Sequence, residues 1–148
     1  MIESVALYAR AGHEETHRAE ENVTLWWACG LVASYNDPIA DFSFAKAGRS
    51  SDLLVALVED GTIIGSTTVG HDGHRGWLYF VAAAPNARGL GVGWQMVDGA
   101  EAWLRQRCVV KVQLLVRKAN NKVISFYERL GFEAEPRGTK GKWLSPSA

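Results

Sequence analysis

The chain has 148 residues, 47% hydrophobic, 10% aromatic and 22% charged, with sixteen basic residues balancing sixteen acidic ones. Such a length suits a single domain, 1–148, able to bury about two-thirds of its unfolded surface, and the composition excludes disordered, fibrous and membrane-spanning classes. Zero net charge leaves no overall field to gather nucleic acid or an anionic membrane, so neither is expected as a partner.

Met1 to Arg10 shows no charged start followed by a long apolar run, and no stretch approaches the roughly 18 apolar residues of a membrane span. The expected location is therefore cytoplasmic. Cys29 and Cys108 lie far apart, without metal-ligand spacing, in apolar helical contexts, and read as buried free thiols of a reducing compartment.

Ser4 to Arg10 alternates loosely as a first strand. Glu14 to Leu31 has Ala19, Val23, Trp26, Trp27 and Gly30 or Leu31 at helical intervals. Trp26 and Trp27 are adjacent and point about 100° apart, so only one can occupy the centre of a buried face. Packing is the simpler role for both, with one of them lining a surface groove as the alternative. Asn36-Asp37-Pro38 is a turn in which Asp37 can cap amides and Pro38 presets φ for a helix over Ile39 to Ala47.

At Asp52 the period changes. Leu53 to Glu59, the Asp60-Gly61 turn and the β-branched Thr62 to Val69 predict a hairpin. The Asp72-Gly73 turn leads into a third strand over Trp77 to Ala83, which Pro85 ends by removing a ladder donor. Val92, Met96, Val97, Ala100, Trp103 and Leu104 then mark one face of a helix between Gly91 and Arg107. Lys111 to Val116 reads as another strand, and Asn120 to Leu130 as a helix with Gly131 at a left-handed cap. Last strands are expected near Phe132 to Ala134 and at Lys142 to Leu144.

The junction from the third strand into the following helix is an anion site by its chemistry. Gly89, Gly91 and Gly93 lack Cβ atoms, so successive amides can turn toward one point, and the open amides and dipole of the new helix add to the attraction. Alone this pattern also fits a plain tight turn. A dinucleotide fingerprint starting at Gly89 requires a small residue where Trp94 stands, and no G-x-x-x-x-G-K-[S/T] occurs.

Ala84-Pro85-Asn86-Ala87-Arg88-Gly89-Leu90-Gly91-Val92-Gly93 resembles the coenzyme A signature [Q/R]-x-x-G-x-[G/A] of the GNAT acetyltransferases, with Arg88, Gly91 and Gly93 filling it. Asn120-Asn121-Lys122-Val123-Ile124-Ser125-Phe126-Tyr127-Glu128-Arg129-Leu130-Gly131-Phe132 is similar to the same family's N-x-x-A-x-x-F-Y-E-x-x-G-F element, with Val123 replacing the usual alanine. The likeness covers Leu53 to Phe132 well and the first fifty residues weakly.

The resemblance implies an α+β fold, the GNAT acyl-CoA N-acyltransferase fold: a mixed, mostly antiparallel sheet of six or seven strands, splayed where the cofactor enters, with about four helices. It also implies a pyrophosphate held by Arg88, Gly89, Leu90, Gly91, Val92, Gly93 and Trp94, and a pantetheine arm paired with Val81, Ala82 and Ala83 as if with another strand. Asn120 would bond that arm. Tyr127 would be the general acid to the departing thiolate, since an unperturbed phenol stays protonated at neutral pH.

The cosubstrate implied is acetyl-CoA, and the acceptor a small-molecule or peptide amine. An amine of pKa about 10.4 must lose a proton before attack. Some relatives carry a carboxylate for this where Leu115 stands here, so the base is left among Glu59, His71, Asp72 and Tyr79, acting directly or through water. His71 and His74 read as polar residues of a hairpin tip, or as part of an acceptor site, before they read as metal ligands. A longer acyl donor, a non-catalytic acyl-CoA sensor and a homodimer are the alternatives left open.

Overall fold

Two Asp-Gly steps set the sheet. In a computed structural model that describes the backbone of residues 4–7 and 12–145, and side chains from residue 18 to 145, Asp60 Oδ1 accepts from Thr62 N–H at 2.8 Å and Asp72 Oδ1 accepts from His74 and Arg75 N–H at 2.9 and 2.7 Å. These Asx bonds turn the chain where β-branched runs begin and end. The strands are β1 (Ser4–Leu7), β2 (Ser51–Leu57), β3 (Ile63–His71), β4 (Gly76–Ala83) and β5 (Val112–Gln113), paired in the order β1-β2-β3-β4-β5. The first three pairings are antiparallel, and β4 runs parallel to β5.

The described residues hold four α-helices, α1 (Gly12–Ala28), α2 (Pro38–Ala47), α3 (Val92–Gln106) and α4 (Asn121–Arg129). Asp37 caps α2 as expected, its Oδ1 accepting from Ala40 N–H at 3.1 Å, and Pro38 takes the first helical position. All six apolar positions expected on α3 are buried. The residues of β3 from Ile63 to Val69 are buried without alternation, so both faces of the sheet are covered. On one face a Cβ at Gly65 would meet Val92 and Met96 of α3. The helices α1 and α2 cover the other, with Trp26 stacked on Phe80 at 4.3 Å and tilted on Phe42 at 6.2 Å. Trp26 is 0% exposed and Trp27 58%, which resolves the pair of adjacent tryptophans as one core residue and one surface residue.

The described residues form two compact units, divided between Leu114 and Leu115. The first holds the sheet and the helices α1 to α3; the second holds α4. Among the described residues no helix is long and apolar enough to cross a membrane.

The sheet departs from expectation in its last strands. Five strands are present among the described residues, where six or seven were expected. β5 is two residues long instead of spanning Lys111 to Val116, and the segments 132–134 and 142–144 are not strands. A strand exists only where a neighbour completes its ladder, and from Glu133 to Ser145 every residue is exposed. Residues 8–10, expected to extend β1, lie outside the described residues. The thiols also differ from expectation: Cys108 is exposed, at φ 62° just past the end of α3, and Cys29 is half-buried.

Candidate functional site

In the parallel crossover β4–α3–β5 the carboxyl end of a strand leads into the amino end of a helix, the usual seat of a ligand in sheets with crossover helices. The turn between them begins as a short 3-10 segment, Pro85–Ala87, and ends at Gly91, the N-cap of α3 in the left-handed region at φ 77°. Gly89 lies there too, at φ 85°, and a Cβ on either glycine would point into open space. No side chain caps α3, so the amides of its first turn, Val92, Gly93 and Trp94, have no acceptor within the helix. Leu90 and Trp94 are exposed beside them, as is Arg88. Open main-chain donors beside an exposed arginine are the chemistry that suits an anion.

β4 supplies a second element. Its parallel ladder with β5 covers only Gly76 and Trp77, so Leu78 to Ala83 have no strand partner on that side among the described residues. The strand also bulges: Ser66 pairs with Ala82 and Thr68 with Tyr79, leaving Phe80 and Val81 opposite Thr67. Phe80 sits at φ 52°, a conformation costly for an aromatic residue and held here by its stack on Trp26. The carbonyl of Tyr79 is turned toward Thr67, whose Oγ1 donates to it at 3.2 Å. At the end of the strand Cys29 Sγ donates to Ala83 O at 3.1 Å. The bulge carries no signal in the sequence, because no glycine marks it.

Asn120 and Tyr127 belong to the second unit. Asn120 caps α4, its Oδ1 accepting from Val123 N–H at 3.3 Å, which leaves its Nδ2 donors for another partner. Tyr127 lies two turns further along, packed edge-to-face on Phe126 at 5.0 Å and on Phe132 at 5.5 Å. Burial pushes its phenol up to about 12. The helix ends in a Schellman motif: Phe132 N–H donates to Tyr127 O at 3.0 Å, Gly131 N–H to Glu128 O at 3.0 Å, and Gly131 adopts φ 92°. The ring contact between Tyr127 and Phe132 is the apolar clasp that accompanies such a cap.

The four candidate bases are spread along the sheet. His71 and Asp72 sit at the amino end of β4, Glu59 at the turn that adjoins its carboxyl end, and Tyr79 next to the bulge. Seven strand steps from Gly76 to Ala83 are about 23 Å, so one bound group cannot reach all four. Asp72 is spent on its turn: Arg75 N–H, the Trp77 indole at 3.2 Å and His74 N–H hold its carboxyl down to about 2. A carboxylate so satisfied is a weak base. His71 Nδ1 accepts from Gly73 N–H at 3.1 Å and is likewise part of the hairpin tip.

The sequence pattern of the acetyltransferase (GNAT) family matches residues 15–132. An acetyltransferase of Pectobacterium atrosepticum is 37% identical over 125 residues, covering 84% of this chain and 88% of that protein. Among solved structures, an aminoglycoside acetyltransferase from an uncultured soil metagenomic sample, in complex with sisomicin, is similar with a TM-score of 0.78 at 14% identity, covering 97% of this chain and 96% of that one. AAC(6')-Iy in complex with the bisubstrate analogue CoA-S-monomethyl-acetylneamine has a TM-score of 0.74 at 14% identity, with 96% and 98% covered. Acetyl transfer is what these relatives have in common.

Proposed function

The chain belongs to the acetyltransferase (GNAT) family, and on that premise we propose that it is a single catalytic domain moving an acetyl group from acetyl-CoA to a primary amine by direct attack. The observation that carries this reading is the donor cradle at the amino end of α3, with Gly89 and Gly91 both in the left-handed region and open where a phosphate would approach. Acetyl-CoA, when bound, supplies an electrophilic thioester carbon and a thiolate leaving group. Arg88 to Trp94 hold its pyrophosphate through main-chain amides, and Val81, Ala82 and Ala83 offer the unpaired side of β4 to its amide-bearing arm. The Nδ2 of Asn120 donates to the same arm.

A strand amide near Val81 to Ala83 stabilises developing charge on the carbonyl oxygen. Tyr127 protonates the departing sulfur, and a phenol raised to about 12 remains a proton carrier at any physiological pH. The chain needs no covalent acyl-enzyme, because Cys29 donates to a carbonyl and Cys108 is an exposed residue in a helix-terminating turn. The acceptor is a small-molecule or peptide amine, a class in keeping with the aminoglycoside named for one structural neighbour.

A thiol-release assay with acetyl, propionyl and succinyl donors across a panel of amines tests the reading. Release with acetyl-CoA and at least one amine class is the expected outcome. Tyr127→Phe should keep acetyl-CoA affinity and lower kcat at least about tenfold; unchanged turnover rejects Tyr127 as the acid. Tight acetyl-CoA binding with no release for any amine would instead mark a sensor.

A further inference from the structure

Five buried side-chain polar atoms among the described residues have no protein hydrogen-bond partner: Asn22 Oδ1, Trp26 Nε1, Ser66 Oγ, Thr68 Oγ1 and Trp103 Nε1. Their distribution is uneven. Trp103 belongs to α3, whereas Asn22 and Trp26 are one turn apart on α1, and Ser66 and Thr68 are two residues apart on β3. Side chains alternate along a strand, so Ser66 and Thr68 face away from the side on which Gly65 meets α3. They face the layer of α1, whose Trp26 stacks on Phe80 across from them. Asn22, Trp26 and Ser66 are 0% exposed and Thr68 9%.

Buried polar groups are almost always satisfied, and four gathered on one face call for a common partner. The donors and acceptors say what it is. Asn22 already donates from Nδ2 to Arg18 O at 3.2 Å, leaving an acceptor oxygen. Trp26 offers only a donor, and the two hydroxyls can act as either. A cation would find the indole N–H against it, and an anion the amide oxygen. A neutral species that both donates and accepts fits all four groups. The hydroxyls stand about 7 Å apart along the strand, too far to bond one another and within reach of a short water bridge.

We propose that internal water occupies the seam between α1 and β3, hydrogen-bonded by Asn22, Trp26, Ser66 and Thr68, and that it seats Trp26 against the bulge at Phe80. The water is a structural ligand of the bulge, independent of which amine is acetylated.

The sign of a stability change tests this. Thr68→Val is nearly isosteric and Ser66→Ala removes one atom, so neither endangers folding. A hydroxyl that binds water loses a bond when removed, and each variant should melt lower by roughly 3 °C, the shift expected for one hydrogen bond in a chain of this size. A hydroxyl with no partner is an uncompensated cost, and its removal would raise the midpoint. A high-resolution crystal structure should show water within about 2.7–3.2 Å of at least two of the four atoms. Unchanged or raised midpoints in both variants, or a seam without water, would overturn the proposal.

Discussion

Asp72 and Tyr127 are held at opposite ends of the titration range by opposite causes. Hydrogen bonds to its charged form hold Asp72 at about 2, below its usual 3.8. Such a group stabilises the fold above its unfolded pKa, and that contribution is lost as pH falls through about 2. The thermal midpoint should therefore drop between pH 4 and 2 more steeply in the native chain than in Asp72→Asn, measured by circular dichroism. Burial raises Tyr127 from 10.0 to about 12; its share of stability is present below 10 and lost as pH rises through 12. A kcat profile should accordingly hold or rise to about pH 10 as the amine deprotonates, and a fall with a midpoint near 8 would assign the acid to another group. At this scale the turn at Asp72-Gly73 was readable in advance. Saturation of Asp72 was not, because Trp77 reaches it only once the hairpin has folded.

The glycines of β3 and of the cradle show two different constraints on an element. Gly91 has empty space around it but φ 77°, so Gly91→Ala meets only backbone strain, about 1–2 kcal/mol. In Gly65→Ala the new methyl would press on the Val92 side chain and on Met96 Sδ at 3.1 Å, an overpacking cost of about 1–3 kcal/mol. Both should lower the urea midpoint, while calorimetric titration with acetyl-CoA should weaken more for Gly91→Ala, whose methyl stands in the cradle. The caps, the hairpin turns and the apolar stripe of α3 were legible because their causes lie within a few residues of each other. The bulge at Phe80 and the shortness of β5 were not. Each depends on a partner far away in sequence, Trp26 for the one and the bent β4 for the other.

At the scale of the whole molecule, equal numbers of acids and bases and a pI near 6.9 leave little mutual repulsion near neutrality. Solubility under a precipitating polymer should pass through a minimum close to pH 7 and recover on either side. That balance is also why the acceptor could not be read from charge, although the two motifs sufficed for the family and the mixed sheet. The Schellman clasp limits what those motifs can certify. Gly131 and Phe132 are accounted for by stopping a helix and bracing a ring, so a descendant that had lost all turnover would retain both for foldability. Within that thirteen-residue signature the Asn120 amide and the Tyr127 hydroxyl are the groups that neither the Schellman cap nor the ring clasp requires, so under the proposed mechanism their loss is what would distinguish a silent copy from a working one.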